Sequence, residues 1–270
     1  GWVPTQYDWY RNLLPFNNFL KFRASWGRVG NDRLKDENGN DIRFPYLTTL
    51  GNVSSTWGTG LAENRTGSMN LKWEVSTKTN FGIDARFFDD KVDMTVDFFH
   101  TKTTDIFQRR ANIPDEGGLS NVLPYANIGS MKSWGMDGTL AYTHTFNKDM
   151  ALTVRGNFTH AENEVIYWEQ SGVNYPYQSN SGVPYKVQRG LIALGLFKDE
   201  DDIKSSPKQT FMDNYRPGDI KYKDVNGDGK IDKDDVVPLN YSAVPFIQYG
   251  FALDWNYKAF RVSIFFERSL

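Results

Sequence analysis

Apolar and polar residues alternate with period two in seven windows of this chain, 19–28, 74–88, 91–100, 133–146, 150–160, 248–257 and 260–267. That period places one residue class on each face of an extended strand. In 248–257 the large apolar residues are Tyr249, Phe251, Leu253, Trp255 and Tyr257, separated by Gln248, Gly250, Ala252, Asp254 and Asn256. The same split sets Phe81, Ile83, Ala85 and Phe87 on one face of the second window, and Phe260, Val262, Ile264 and Phe266 on one face of the last. No helical period competes, so the windows predict seven strands with one greasy face.

The turns between the windows test this independently, because a hairpin must carry the apolar face to the same side of the sheet. A two-residue turn at Asp89-Asp90 pairs Phe87 with Val92, and one at Lys258-Ala259 pairs Tyr257 with Phe260. Both switch parity as the pattern requires. A three-residue turn at Asn147-Lys148-Asp149 pairs Phe146 with Met150 and keeps the apolar positions even. Between these tight turns run connections of more than forty, about thirty and more than eighty residues, so all the short links fall on one end. Outer-membrane barrels sort their loops in this way, with short periplasmic turns and long extracellular loops, and need strands of ~9–11 residues to cross. The alternative is a soluble antiparallel sandwich. Against it, aromatics crowd the turn ends (Phe87, Phe88, Phe146, Trp255, Tyr257, Phe260), and the opposite faces carry Lys21, Arg23, Asp84, Arg86, Asp93, Asp97, Arg155 and Asp254. The fold expected is all-β, an antiparallel up-and-down segment of a transmembrane β-barrel with long extracellular loops. Phe251, Leu253, Trp255, Val262 and Ile264 are expected to face lipid, and Asp254, Arg261 and Ser263 the lumen. Seven strands cannot close a barrel, which needs about 8, so the chain reads as an incomplete piece.

Composition narrows the classes. Aromatics make up 15% of the 270 residues although mean hydropathy is negative, the texture of half-buried strands. The 31 basic and 33 acidic residues nearly balance with no basic run, which argues against nucleic-acid binding. The absence of cysteine excludes disulfides, zinc ribbons and thiol nucleophiles. No apolar run is long enough for a transmembrane helix, and GWVPTQYDWY lacks the features of a signal peptide, so the protein is cytosolic or its true start is missing.

One segment carries specific chemistry. Asp224, Asn226, Asp228, Gly229, Lys230, Asp232 and Asp235 occupy positions 1, 3, 5, 6, 7, 9 and 12 of a calcium loop. Hard oxygens at alternate positions converge when such a loop wraps, Gly229 permits the sharp turn, Lys230 supplies its carbonyl, and Ile231 anchors the loop. Asp235 replaces the usual longer Glu. Arg216-Pro217-Gly218 and Pro238 flank the loop, so it lacks the two helices of a sensor. A metal-free acidic turn is the alternative. His100, His144 and His160 fall on apolar strand positions without metal-like neighbours and read as structural. The loop aromatics Trp57, Trp168, Tyr175 and Tyr177 could stack on sugar rings or pack the loops together. There is no phosphate loop, dinucleotide fingerprint or nucleophile elbow.

The runs PFNNFLKFRASWGRVGND, LKWEVSTKTNFGIDARFFDDKVDMTVDFFHTKTTDIF, GLIALGLFKDEDDI and RPGDIKYKDVNGDGKIDKDD, followed by a YGF strand, resemble in content and order the C-terminal barrel half of SusC/RagA-type TonB-dependent transporters of Bacteroidetes. The resemblance covers nearly the whole chain. It implies that residues 1–270 are a partial barrel domain from which the plug, the TonB box and the final strands are absent, and that 216–238 belongs to a long extracellular loop carrying a structural Ca2+. It further implies an outer-membrane, non-enzymatic importer of oligosaccharides or peptides, driven by TonB and capped by a SusD-like surface lipoprotein. The competing classes are a soluble carbohydrate-binding protein with a dockerin-like calcium loop, which would want a second loop and helical flanks, and a glycan-degrading enzyme, which would want a paired carboxylate site.

Overall fold

The computed structural model describes residues 1–35, 39–56, 58–113 and 122–270. Its frame is a single seven-stranded antiparallel sheet in which every strand pairs with its sequence neighbours. The strands are β1 (Asn17–Asn31), β2 (Glu74–Phe87), β3 (Val92–Arg109), β4 (Tyr125–Asn147), β5 (Met150–Tyr167), β6 (Ile247–Tyr257) and β7 (Phe260–Ser269). Each covers one of the seven alternating windows to within one residue at its turn end. Two hairpins have the expected register, with Phe87 opposite Val92 and Tyr257 opposite Phe260. Asp89 and Asp90 sit at φ 56° and 59°, the left-handed conformation that a tight hairpin turn demands and that Asp tolerates.

The third hairpin differs from expectation. Asn147, not Phe146, pairs with Met150, which leaves a two-residue turn at Lys148-Asp149 and a bulge between Thr145 and Asn147. The Asn147 side chain accepts from the Asp149 amide at 2.9 Å, and this local bond tightens the turn. The bulge absorbs the extra residue, so Thr145 still pairs with Ala151 and every later pair keeps its face.

Register sorts the sheet into rows of one character. Leu20, Ala85, Met94, Leu140, Gly156, Phe251 and Phe266 lie side by side across all seven strands. The row formed by Phe87, Val92, Tyr142, Val154, Leu253 and Ile264 continues the same face. On the opposite face Arg23, Gly82, Asp97, Asp137, Thr159 and Gln248 form one row. There Arg23 donates to Asp84 at 2.8 Å from both Nε and Nη2, and to Asp97 at 2.8 and 3.0 Å. It reaches across β2 because Gly82 has no side chain; a Cβ there would come within 2.6 Å of the guanidinium carbon. Asp254 is buried on this face, accepting from Arg155, Arg261 and Ser263. The apolar face is uncovered, with Phe251, Val262 and Ile264 about half exposed.

Strands β3, β4 and β5 run well past the alternating windows, over 18, 23 and 18 residues. The extensions were hidden because TKTTDIFQR does not alternate, its apolar Ile106 and Phe107 being adjacent, and its register shifts twice between Thr103 and Phe107. The expected thirty-residue connection is therefore only 110–124. The first long connection contains a separate hairpin of Thr49–Ser55 and Gly58–Arg65. The longest, 168–246, holds a short helix, Glu200–Ser205, and three small strand pairs. It also holds Gln209, Ile231 and Asp235, three of the four largest fully buried side chains among the described residues.

Candidate functional site

The six residues expected to bind metal lie together on one wrapped loop within 168–246. Its shape follows from short polar side chains taking amides of their own loop. Asp224 accepts from Gly227 at 2.6 Å and Gly229 at 2.8 Å, Asn226 from Asp228 at 3.0 Å, Asp228 from Lys230 at 2.9 Å, and Asp232 from Asp234 at 2.8 Å. Asp235 closes the ring. Its oxygens accept from Val225 at 2.7 Å, Asn226 at 3.4 Å and Asp232 at 2.9 Å, and it is wholly buried. Gly227 and Gly229 sit at φ 77° and 83°, so each turn falls where a left-handed residue is cheapest. No helix flanks the loop: Ile220–Tyr222 precedes it as a strand, and a single 3-10 turn, Lys233–Asp235, completes it.

Ile231, 1% exposed, anchors the loop as its sequence position suggested. It pairs in parallel with Gln209, and the amides of Lys208 and Thr210 take the carbonyls of Gly229 and Ile231, on either side of the Lys230 carbonyl. Among the described residues no group of three or more His, Cys, Asp or Glu is placed to hold a metal ion, because these carboxylates are turned onto backbone amides. The donor chemistry nonetheless fits a hard cation, since each carboxylate oxygen that accepts one amide keeps a second lone pair.

Tyr175 and Tyr177 do not stand free for a ligand. Their rings stack at 5.4 Å, Tyr177 donates to the Asp234 carbonyl at 2.6 Å, and the Asn226 amide donates to Tyr175 at 3.3 Å. Burial, with the nearby Tyr175 and the Asp235 and Asp234 oxygens, pushes the Tyr177 phenol above its usual value. These two aromatics pack loop against loop. Trp57 lies outside the described residues. Trp168 lines a cavity of about 570 Å3 between the outer ends of β3 and β4 and the start of 168–246. His144 packs edge-on against Phe146 at 4.4 Å, and His160 meets Glu162 at 3.1 Å.

Pattern reasoning missed the clasp beside that cavity. Glu169, its side chain 3% exposed, accepts from Arg110 at 2.8 Å and from the amides of Ala111 and Asn112 at 3.1 and 2.7 Å. Burial alone would raise its pKa, but the Asn112 amide, the Arg110 guanidinium and the Ala111 amide together hold it below the usual glutamate value. Its partners lie more than fifty residues away in sequence, so no local spacing announced the contact.

Residues 5–264 match the model of the family described as TonB dependent receptor-like, beta-barrel. The chain belongs to this family. Curated relatives agree over nearly its full length. It is 29% identical to TonB-dependent receptor P39 and 27% identical to TonB-dependent receptor P26, both of Formosa agariphila, across 99% of this chain. It is 24% identical to TonB-dependent receptor SusC of Bacteroides thetaiotaomicron across all of it. The chain spans about a quarter of the length of these relatives, 27–28%. The fold matches that of the RagAB peptide importer in its open-open state with a TM-score of 0.70 at 22% identity, covering 94% of this chain and 26% of that one. TonB-dependent receptors are outer-membrane proteins rather than enzymes, so the apolar face of the sheet meets lipid and the charged face meets the lumen.

Proposed function

We propose that the protein to which this chain belongs imports an oligomeric nutrient, an oligosaccharide or a peptide, across the outer membrane in a TonB-dependent step. This chain supplies part of the barrel wall and its extracellular loops, and a SusD-like lipoprotein covers the loop end. The observation that carries the reading is a wall with one apolar and one charged face whose tight turns all lie at one end and whose longer connections all lie at the other. That asymmetry suits a pore with an elaborated outer mouth. The neighbour described as a peptide importer and the SusC relative support import as the class of activity. The test is uptake of labelled oligosaccharides and peptides by cells producing the full-length protein, with and without TonB. Uptake falls to background without TonB; uptake unchanged by the deletion refutes the proposal.

The loop 224–235 is proposed to bind one Ca2+ as a structural element of the outer mouth, through Asp224, Asn226, Asp228, the Lys230 carbonyl, Asp232 and Asp235. Five carboxylates on one twelve-residue turn repel one another without a cation, and four of them, Asp224, Asp228, Asp232 and Asp235, stand at calcium-loop positions. Because Asp235 is one methylene shorter than Glu, affinity is expected near the weak extracellular range of ~10⁻⁴–10⁻³ M. Chelation should speed proteolysis between Lys221 and Lys233 and leave the strands protected. A calcium titration by calorimetry that shows no heat up to saturating metal would remove the ion from this account.

A further inference from the structure

We infer that the lipid-facing side of the wall carries a docking site for a phosphorylated lipid headgroup of the outer leaflet, built from Arg28, Thr77, Lys102 and Lys132. It depends on the outer-membrane setting of the family and not on the cargo proposed above. Register lines these residues up in one row across β1 to β4: Arg28 lies opposite Thr77, Thr77 opposite Lys102, and Lys102 opposite Lys132, with Glu164 of β5 next. The row belongs to the apolar face. Two residues nearer the turns on the same strands stand Trp26, Thr79, His100 and Trp134, and two nearer again stand Ala24, Phe81, Phe98 and Met136.

The height of the row on the wall identifies what it meets. Lys102 lies ten residues beyond Val92, where β3 leaves its tight turn. At ~3.3 Å per residue and a strand tilt of ~35–45°, that places it ~25 Å above the turns, the height of the apolar band of an outer-membrane barrel. The tryptophans agree. Trp26 and Trp134 flank the row on the turn side, and on the loop side Trp73 lies over Gly30, where a Cβ would come within 2.6 Å of its ring. Trp26 and Trp73 are 70% and 64% exposed, as befits rings that lie among headgroups at a membrane interface.

Charge then selects the chemistry. Two lysines directly opposite each other on adjacent strands repel, and Lys102 and Lys132 are such a pair. Lys132 is relieved by Glu164 at 2.8 Å and lies 5.3 Å from the centre of the Trp134 ring, whereas Lys102 has no carboxylate partner among the described residues. Arg28 reaches only the Thr77 hydroxyl, at 3.4 Å. Three basic side chains therefore share one carboxylate, directly above apolar rows. A phosphate takes the guanidinium fork of Arg28, the Lys102 ammonium and the Thr77 hydroxyl at once, while its acyl chains continue down over Ala24 and Phe81.

The test is a native mass spectrometry titration of the full-length protein in detergent with three probes: lipid A as a phosphorylated outer-leaflet glycolipid, its dephosphorylated form, and phosphatidylglycerol. Lipid A binds more tightly than either of the others. Arg28→Gln and Lys102→Gln each weaken it about fivefold, the scale of one basic residue at an anionic lipid surface. Lys78→Gln, one residue from Thr77 on the opposite face, leaves binding unchanged. All three positions are exposed, so the variants keep the fold. Equal binding of the dephosphorylated form, a preference for phosphatidylglycerol, or lipid A binding that Lys102→Gln does not alter overturns the site.

Discussion

The wall and the long connection 168–246 are stabilised in opposite ways. The wall owes its order to ladders of backbone hydrogen bonds over seven strands, and it keeps its large side chains outside: Trp26 is 70% and Phe260 72% exposed. The connection has strands of only two to six residues, yet it contains Ile231 at 1% and Asp235 at 0% exposure. A sheet can dispense with its own core only where something apolar already covers one face, and lipid does so in an outer membrane. The loop stands in water and must bury its own apolar groups and satisfy its own amides. The comparison shows that the loop must bury apolar side chains such as Ile231 within itself, whereas the wall leaves its largest ones to lipid.

The largest expected effect falls on the small loop core. Ile231→Ala removes its most buried aliphatic side chain and should cost the loop ~2–5 kcal/mol, seen as rapid proteolysis of 168–246 with β1–β7 still protected. Loss of strand protection as well would show that the two regions form one cooperative unit.

The wall is probed by neighbouring residues of opposite facing. Leu140, 53% exposed, lies in the apolar row, and Thr139 lies beside Asn157 and Thr95 on the charged face. Leu140→Arg should cost ~2–4 kcal/mol near the bilayer midplane and Thr139→Arg far less, measured by denaturant unfolding of the full-length protein in vesicles. Equal costs would mean that the apolar face is not in lipid. Asp254 makes a poorer comparison, because its carboxylate already satisfies Arg155, Arg261 and Ser263, and any replacement leaves two guanidinium groups without it.

The smallest effect is electrostatic and joins the two regions. Because the folded pKa of Glu169 is lowered, its clasp on Arg110 and residues 111–112 is fully present above the ordinary glutamate range and is lost as pH falls through the lowered value. Hydrogen exchange at the Ala111 and Asn112 amides should therefore rise only in acid below that range. In Glu169→Gln that acid step should disappear. An acid step of the same size in the variant would assign the pH dependence to another group.

Alternation alone placed all seven strands, the apolar and charged faces and two of three hairpin registers, because a strand's side-chain period is fixed by backbone geometry and needs no partner to be read. The wrapped loop 224–235 was legible for a similar reason: the bonds of its Asp224, Asp228, Asp232 and Asp235 carboxylates run within twelve residues, and the Asx turns that shape it are local. Three features were decided only in three dimensions. The outer halves of β3 to β5 are strands because each pairs with the next, although their own residues do not alternate cleanly between apolar and polar. The reach of Arg23 across Gly82 to Asp97 depends on register between strands more than fifty residues apart. The Glu169 clasp and the cavity beside it exist because folding brings residue 169 against residues 110–112, a juxtaposition that no local period encodes.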